Sequence, residues 1–275
     1  MPSERPLNEA NIVVFGGSHG IGRATAVALG QRGASVLVVS RGREAGEAAA
    51  ADIKAAGAKS ADFLAGDLST IAGVKLAPDS AAAWRPALSG VMHTAMGAFK
   101  GKTMTSDGLE FAFALQYMAR ASLNRLLLPQ LAASGDGRIL HIAGDVPGLM
   151  KPDLDDLQFE HRKWSFFKSV LGTHILGFMH IQEAAKRWQG QPVTIAASCV
   201  GSTKTKAMTD PIMPLAMRLM AVFGTTPEVS AVNAIKYPTA ASAAEVNSAV
   251  LRNPKKYEPK KLRLVCRVID FAYDF

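Results

Sequence analysis

The chain of 275 residues is 48% hydrophobic and carries 31 Lys and Arg against 23 Asp and Glu, a formal net charge of +8. A chain of this length and composition can bury a sizeable core, which excludes a small fold that depends on disulfides or structural metals. We predict one globular domain over residues 1–275. The two cysteines, Cys199 and Cys266, form no spacing motif, so we interpret them as thiols in a reducing compartment.

The sequence shows no targeting or membrane segment. Its first residues, MPSERPLNEANIVVFGG, mix acids with short apolar runs, unlike a signal peptide. No stretch approaches the roughly 18 apolar residues of a membrane span. The basic run KKYEPKKLRLVCR lacks a nucleic-acid-binding motif, and we interpret it as a solvated face. We therefore expect a soluble, cytoplasmic protein with neither a membrane nor a nucleic acid as its partner.

Apolar runs of strand length alternate with stretches of helical composition along the chain. In order, the runs are NIVVF, SVLVVS, DFLAGDL, GVMHTA, RILHIA and VTIAAS. Strands that are apolar throughout are typical of a parallel sheet that helices cover on both faces. We therefore predict an α/β fold with a Rossmann-type, doubly wound parallel sheet. Residues 9–205 would form a cofactor-binding core, and 206–275 a helical substrate-side region with a C-terminal tail.

Prolines and composition place the helices between these runs. Pro78 and Pro86 predict that the helix within 69–90 is short or broken. Longer helices are predicted over 106–131 and 168–188, where the composition is helical.

Three further segments are informative. Thr226-Pro227-Glu228 predicts a helix start, because it combines a cap, a proline in the first turn and an acid at the positive end. The C-terminal KKLRLVCRVIDFAYDF has apolar residues at helical spacing, which predicts a docking helix. Residues 145–162 have loop composition with several acids, and a loop this long in a compact domain is more often functional than idle.

A glycine pattern follows the first predicted strand directly. In IVVFGGSHGIGRATAVAL, Gly16, Gly20 and Gly22 stand between that strand and a helix. Glycines here allow a tight turn and close approach of a dinucleotide phosphate, while the helix offers unpaired N–H groups at its positive end. Because strand, turn and helix occur in the required order, the pattern predicts a dinucleotide site.

The spacing Gly-x-x-x-Gly-x-Gly resembles that of the short-chain dehydrogenase/reductase superfamily, and the resemblance covers most of the chain. At the end of the second strand the sequence reads SRGR, without the acid that would bind a ribose 2′-hydroxyl. Arg41, with Ser40 and Arg43, would instead hold a 2′-phosphate, and His19 would add positive charge. We therefore predict NADP(H) over NAD(H); the alternative is a surface arginine without a ligand.

The resemblance implies further cofactor contacts at matching motifs. GDL resembles an adenine-contact turn, HTAMG partly matches Asn-Asn-Ala-Gly, and VGSTKT resembles Pro-Gly-x-Val-x-Thr with valine in place of proline. The implied contacts are Ser18 and Ile21 in the glycine turn, Asp67 and Leu68 in GDL, Thr94 and Ala95 in HTAMG, and Gly201, Thr203 and Thr205 in VGSTKT.

The superfamily's catalytic tetrad does not match this sequence. Its members use an asparagine, a serine, a tyrosine and a lysine to handle the proton of a carbonyl or alcohol. Counting from the flanking motifs puts these positions at Gln116, at Gly144 or Asp145, at Val170 and at His174. A second alignment with a shorter loop puts Trp164 and Lys168 at the last two. Neither alignment restores a tyrosine, so we predict a site without a tyrosine acid.

A narrower resemblance links SDGLEFAFALQYMARASLNRLLLPQL and the acidic LDDL to fungal short-chain reductases of secondary metabolism. Among these, the bifunctional reductase/Diels–Alderase enzymes of bicyclic indole alkaloid pathways use an aspartate before a tryptophan and an arginine from the fourth helix. The resemblance implies Arg120 or Arg125 as that arginine. The other candidate catalytic residues are Asp156, among the loop acids Asp145, Asp153, Asp155 and Glu160, together with His161, Trp164 and Lys168.

These observations favour an NADPH-dependent reductase of a hydrophobic small-molecule intermediate, either an imine/iminium or a carbonyl compound. Reduction of an iminium gives a neutral amine, so hydride alone completes that step, and a cyclisation in the same pocket is a further expectation. The alternatives are a non-redox cyclase or isomerase that retains NADP(H), and an inactive NADP(H)-binding protein. By family analogy, LLLPQL and ILGFMHI predict a homodimer or homotetramer.

Overall fold

A parallel β-sheet organises the chain in the computed structural model, which describes residues 5–97, 101–146 and 151–252, together with the backbone of 255–257. The strands are β1 (Asn11–Phe15), β2 (Ser35–Ser40), β3 (Ser60–Ala65), β4 (Gly90–His93), β5 (Gly137–Gly144), β6 (Val193–Val200), β7 (Val250–Arg252) and β8 (Lys255–Tyr257). Their order is β3-β2-β1-β4-β5-β6-β7-β8, and all neighbours are parallel except β7 and β8. The predicted α/β fold is confirmed.

Helices cover this sheet on both faces. They are α1 (Gly20–Gly30), α2 (Arg43–Ala55), α3 (Ile71–Trp84), α4 (Ala119–Leu126), α5 (Leu128–Ala133), α6 (Phe166–Arg187), α7 (Lys206–Thr209), α8 (Leu215–Val222), α9 (Pro227–Ser230) and α10 (Val232–Thr239). A π-helical segment, Phe113–Met118, precedes α4, and a 3₁₀ turn, Ala244–Val246, precedes β7. In the described part of the chain, none of the helices combines the length and the apolar character needed to cross a bilayer.

The strand residues explain the two-layered packing. Within β1, Val13 packs in the core between the sheet and the helices α3 to α6, while its neighbour Val14 packs in the opposite core with α1 and α2. Both are completely buried. Because β1 pairs with β2 on one side and β4 on the other, the strand order reverses beside β1. The carboxyl ends of strands diverge at such a point and open a crevice for a ligand.

The prediction that the helix within 69–90 is short or broken is wrong. Helix α3 runs without interruption through Pro78. Thr70 caps its start by accepting a hydrogen bond from the Gly73 N–H (3.1 Å), and the Gln130 amide donates to the Pro78 carbonyl (3.2 Å). Val74 and Pro78 both lie on its buried face, so tertiary packing offsets the one helical hydrogen bond that proline removes.

The helix predicted over 106–131 begins later and is divided. Residues 104 and 110 form an isolated antiparallel bridge around a turn, so the first residues of that range are not helical. Helix α4 ends before Leu127, and Pro129 lies in the first turn of α5. The helix predicted over 168–188 is α6, and Thr226 caps the predicted start of α9 by accepting from Val229 N–H. The predicted C-terminal docking helix and basic tail lie outside the described residues.

A buried arginine joins β5 to the end of α10. The guanidinium of Arg138 is completely buried and donates to the carbonyl oxygens of Tyr237 (2.8 Å) and Ala240 (2.6 Å). It also donates two hydrogen bonds to the Asp136 carboxylate, at 3.1 and 2.7 Å. Desolvation opposes the shift, but the Arg138 hydrogen bonds and the charges of Arg138 and Arg5 hold the pKa of Asp136 below its ordinary value. The chain therefore neutralises this buried cation with its own acid.

We expect Asp136→Asn to lower the free energy of unfolding by about 1 kcal/mol at pH 7, since the carboxylate is partly exposed and solvent screens the pair. A depressed pKa in the folded state stabilises above the unfolded value and loses that contribution as the pH falls through the folded value. Urea unfolding at pH 7 and at pH 3 should therefore show a smaller difference from wild type at pH 3. Asp79→Asn, at an exposed acid of α3, is the control; an equal loss at both pH values would contradict the pair's role.

Candidate functional site

The glycine turn closes directly onto the end of β4. Gly16 has φ +85°, and a β-carbon on it would lie 2.5 Å from the Ala95 backbone nitrogen. A β-carbon on Gly22 would lie 2.3 Å from both the Gly16 carbonyl oxygen and Thr94 Oγ1. Thr94 in turn donates to the Phe15 carbonyl (2.7 Å). These glycines hold the first turn of α1 at the mouth of the crevice, as the sequence pattern predicts.

The amino terminus of α1 is open to a ligand. His19 is its N-cap residue, but no side chain caps the helix and no acid lies in its first turn. His19 is exposed and its ring shares a hydrogen bond with Ser18 Oγ (3.0 Å). Ile21 packs partly against the core on the α1 side of the sheet. The first N–H groups of the helix, with its positive dipole end, therefore face the crevice without an internal acceptor from a capping side chain.

The segment after β6 reaches across to this turn. A β-carbon on Gly20 would lie 3.1 Å from the Thr205 methyl group, and Thr205 Oγ1 accepts from the Met208 N–H to cap α7. Gly201 is exposed beside it. Thr203, by contrast, is buried, and its hydroxyl is bonded to Ser230 Oγ (2.6 Å). A cofactor contact from Thr203 would therefore come from its backbone.

Positive charge lies where β2 ends. Arg41 is exposed, and its guanidinium carbon lies 5.9 Å from the centre of the Phe111 ring. Arg43 is exposed and pairs with Glu47 at 3.2 Å within α2. Ser40 Oγ is buried and has no hydrogen-bond partner among the described residues. The end of this strand thus presents two exposed cations above a buried hydroxyl, with no acid in the SRGR segment itself.

The GDL turn is built by its own aspartate. Asp67 Oδ1 accepts hydrogen bonds from the backbone N–H (2.9 Å) and the hydroxyl (2.6 Å) of Ser69. The side chain of Leu68 is in the hydrophobic core, so a cofactor contact from Leu68 would come from its backbone. The aspartate shapes the loop beside the crevice and keeps one carboxylate oxygen for other donors.

The end of β5 meets α6 at a histidine. The Gly144 N–H donates to His174 Nδ1 (3.2 Å), and a β-carbon on Gly144 would lie 3.3 Å from His174 Cε1. This contact favours the alignment that puts His174 and Val170 at the tetrad's lysine and tyrosine positions. Trp164 precedes α6 and donates its Nε1–H to Glu110 Oε1 (3.1 Å), so its side chain is held by Glu110 and not by Gly144.

Arg120 lies between the carboxyl ends of β4 and β5. Its Nη1 donates to the Ile142 carbonyl (2.8 Å) and its Nη2 to the Ala95 carbonyl (2.9 Å). Burial lowers the pKa of Arg120 to about 10, so the side chain stays charged at neutral pH. Burial, with a smaller effect of the Arg120 charge, lowers the pKa of His174 to about 3, so this ring is neutral. Of the predicted catalytic residues, Arg120 is the one placed on the crevice.

Gln116 lies one turn before Arg120 in the π-helical segment. Its amide nitrogen and oxygen are both buried without a partner among the described residues. The same holds for Arg120 Nε and His174 Nε2. π-Helical segments often occur at functional sites, and unsatisfied buried polar groups mark a place where a ligand or water belongs.

A buried network beneath this point escaped the sequence analysis. Asn124 Oδ1 bonds His93 Nε2 (2.8 Å), and Asn124 Nδ2 lies 2.8 Å from His141 Nε2 and 3.2 Å from His180 Nε2. Burial is the main cause that lowers the pKa of His93 to about 3 and of His180 to about 4. These rings are therefore neutral at physiological pH. No spacing motif marks this set, because its members come from β4, α4, β5 and α6.

Asp156 was predicted as a catalytic residue among the loop acids, and in this structure its carboxylate organises its own loop. It accepts from the backbone N–H groups of Glu160 (2.6 Å), His161 (3.3 Å) and Arg162 (3.1 Å), and pairs with the Arg162 guanidinium. Desolvation opposes the shift, but these N–H groups lower its pKa. His161 is exposed on that loop.

Glu110 is a buried acid in this region. The sequence analysis did not identify it, because a lone acid in a turn forms no motif. It accepts from Trp164 Nε1 (3.1 Å), Ser169 Oγ (2.9 Å) and Phe113 N–H (2.8 Å). Lys168 is exposed and lines a shallow pocket between Glu110 and the acidic loop. No group of three His, Cys, Asp or Glu side chains arranged to bind a metal occurs in the parts of the chain described here.

We expect Gly22→Ala to abolish the thermal stabilisation of the protein by a dinucleotide and to cost about 1–3 kcal/mol of stability, because the new methyl group would overlap the Gly16 backbone. Gly172→Ala in α6 is the control, since its methyl group would meet nothing closer than 4.0 Å. Thermal melting with and without NADPH measures both effects. A Gly22→Ala protein that the dinucleotide stabilises as much as wild type would contradict the cradle.

The comparisons with known proteins agree with this geometry. Human retinol dehydrogenase 13 is 27% identical over 214 residues, which cover 74% of this chain and 62% of that protein. The putative daunorubicin C-13 ketoreductase DnrU of Streptomyces sp. (strain C5) is 27% identical over 177 residues, covering 64% and 61%. The chain thus spans about three fifths of the length of these curated relatives.

Solved structures share the fold at lower identity. The NADP complex of Pseudomonas aeruginosa RhlG has a TM-score of 0.70 at 20% identity, covering 90% of this chain and 97% of that one. The 3-oxoacyl (acyl-carrier-protein) reductase of Agrobacterium tumefaciens, with NADP bound, has a TM-score of 0.70 at 20% identity, covering 90% and 93%. The family model described as short chain dehydrogenase matches residues 10–150, more than half of the sequence. This chain therefore belongs to the short-chain dehydrogenase family.

Proposed function

We propose that this chain is an NADP(H)-dependent reductase of a hydrophobic small-molecule intermediate, and that it transfers hydride without a tyrosine acid. The observation that carries the proposal is the glycine cradle. Gly16 and Gly22 leave space that a β-carbon would fill, directly beside Ala95 and the open end of α1. A dinucleotide diphosphate fits this cradle because it needs both close backbone approach and N–H donors.

The choice of NADP(H) rests on the end of β2. Arg41 is exposed there, and the Ser40 hydroxyl next to it in sequence is buried without a partner among the described residues. A 2′-phosphate accepts charge-assisted hydrogen bonds from an arginine in this position, whereas the 2′-hydroxyl of NAD would find no acid in this segment. The similar structures of the Agrobacterium tumefaciens reductase and of RhlG hold NADP, which supports the same choice.

The absence of a tyrosine acid is proposed from the residues around Gly144. Val170 and His174 occupy the helix face that approaches the end of β5, and both are buried. Two tyrosines of the described chain are engaged elsewhere: Tyr237 donates to Thr194 Oγ1 (2.9 Å), and Tyr117 stacks on Phe113. The proton that completes a reduction would then come from water.

In this proposal the nicotinamide supplies the hydride, and the chain holds and orients the reactants. The cradle fixes the diphosphate, Arg41 anchors the adenosine end, and Arg120 sets the charge beside the reacting carbon.

An apolar substrate is supported by the segment between α7 and α9. Its two ends are held together after β6 by a hydrogen bond from Lys204 N–H to the Thr225 carbonyl (2.8 Å). It carries exposed Leu215 and Phe223. The named activities of retinol dehydrogenase and ketoreductase relatives support a small-molecule substrate of this kind.

The reaction class is tested by following the cofactor. Purified protein loaded with NADPH should consume it on addition of an apolar acceptor, as measured by loss of absorbance of the reduced nicotinamide. Product formed equally well with NADP⁺ and NADPH would indicate the non-redox cyclase instead. Binding of NADPH with no turnover of any acceptor would indicate a cofactor-binding protein without this activity.

Arg41→Glu should weaken NADPH binding by about 100-fold and leave NADH binding within about threefold. The change removes a charge-assisted hydrogen bond to the 2′-phosphate, worth roughly 1.5–3 kcal/mol, and adds repulsion. Fluorescence titration with both cofactors measures the preference. Arg32→Glu is the matched control, because Arg32 is an exposed cation at the far end of α1. Equal loss for both cofactors, or an unchanged preference, would rule out the 2′-phosphate contact.

A further inference from the structure

A cluster of three histidines lies around one asparagine in the core beneath the crevice, and the proposed reaction does not use it. His93, His141, His180 and Asn124 are each exposed by 2% or less. Strand register sets His93 beside Phe15 on one side and His141 on the other, so these rings lie in a row across β1, β4 and β5. Asn124 from α4 and His180 from α6 contact that row. The cluster therefore joins the central strands to the two helices that cover them.

One amide group holds all three rings, and it holds them in their neutral forms. Asn124 Oδ1 accepts from His93 Nε2 (2.8 Å), so this ring carries its proton on Nε2. Asn124 Nδ2 can only donate, and it lies 2.8 Å from His141 Nε2 and 3.2 Å from His180 Nε2, so both of these ring nitrogens are acceptors without a proton. A second proton on either ring would set one N–H donor against another and break the hydrogen bonds of the cluster.

The surroundings of the cluster do not compensate a charged ring. Burial is the main cause that lowers the pKa of His93 to about 3, the pKa of His180 to about 4 and the pKa of His141 well below its ordinary value. Positive charges add to this effect, from Arg120 on His93 and His141 and from Arg187 on His180. Among the described residues, no carboxylate acts on His93 or His141. Two further ionisable side chains lie close by: Tyr117, which meets His180 edge to face, and Glu183, which pairs with Arg187.

His93 connects this cluster to the glycine turn. Its ring stacks on Phe15 with 5.2 Å between the ring centres, and Phe15 directly precedes Gly16. His93 is the last residue of β4, and Thr94 after it donates its N–H to the Phe15 carbonyl (2.9 Å). The next residue, Ala95, is the backbone contact that leaves no room for a β-carbon on Gly16. A displacement of the His93 ring would therefore move both sides of the cradle.

We infer that this cluster is a pH-sensitive device, which holds the cradle in place while its rings are neutral and releases the cradle in weak acid, when the rings take up protons together. The inference rests on the proposed function only for its effect on the cofactor. Histidines of an unfolded chain have a pKa of about 6.5, whereas the rings of the folded cluster bind protons only at much lower pH. The folded form is therefore fully stable above about pH 6.5 and loses stability as the pH falls toward 4.

Urea unfolding of the full-length protein between pH 6 and pH 5 counts the protons, because each proton taken up on unfolding changes the unfolding constant tenfold per pH unit. In this range the carboxylates of an unfolded chain stay largely ionised. We expect about three to four protons, of which one comes from His174, since burial also lowers the pKa of that ring. His141→Gln should remove about one proton, and His161→Gln, on the exposed loop, should remove none. A wild-type count below two, or an unchanged count in His141→Gln, would overturn the inference.

A second measurement needs no variant. In wild-type protein with ¹⁵N-labelled histidines, the ring-nitrogen shifts at pH 7 should show a proton on Nε2 of His93 and none on Nε2 of His141 and His180. All three rings should stay neutral until the fold itself changes. The reverse pattern would turn the Asn124 amide around, so that His141 and His180 could each take a second proton without losing their hydrogen bonds. That result would overturn the inference.

The link to the cradle is tested with Asn124→Asp, which gives the rings an anion and so favours their charged forms. Between pH 7 and pH 5.5, wild type should lose at least tenfold more NADPH affinity than Asn124→Asp, as measured by fluorescence titration. Both proteins meet the same 2′-phosphate, so its own titration cancels. An equal loss in the two proteins would overturn the inference, because the cradle would then not follow the cluster. If wild type binds no NADPH at pH 7, the proposed function fails, and the proton count still decides whether the cluster responds to acid.

Discussion

The contact between the glycine turn and the end of β4 is the constraint on which the rest of this site depends. Gly16 and Gly22 bring the backbone after β1 so close to Thr94 and Ala95 that no side chain fits between them. That approach fixes the width of the crevice at the point where strand order reverses. Arg120 then bridges the Ala95 carbonyl and the Ile142 carbonyl near the end of β5, so the glycine turn and this buried cation share the Ala95 backbone as a contact.

Most of the sheet was predictable because its signals are local. Apolar runs, a glycine turn and a basic strand end each lie within a few residues of sequence, and the parallel sheet follows from their alternation. The full length of helix α3 was not predictable. Tertiary packing accommodates Pro78 inside the helix, and that packing is not evident from the sequence. The helix predicted from residue 106 begins only after residue 110 for a similar reason. The Glu110 carboxylate accepts hydrogen bonds from Phe113 N–H and from the side chains of Trp164 and Ser169.

Site residues could be predicted where spacing in the sequence sets their position in the fold. They could not be predicted where tertiary hydrogen bonds decide what a side chain contacts. Arg120 was identified from its place on a helix, and the structure puts it at the crevice. Asp156 was a candidate as one of several acids in the loop before α6, and three backbone N–H groups of that loop donate hydrogen bonds to its carboxylate. The Asn124 network joins four separate elements, and no short motif encodes such a set. Whether an acid stabilises its own loop or contacts a substrate depends on which hydrogen-bond donors surround it. Those donors are brought together only when the backbone folds.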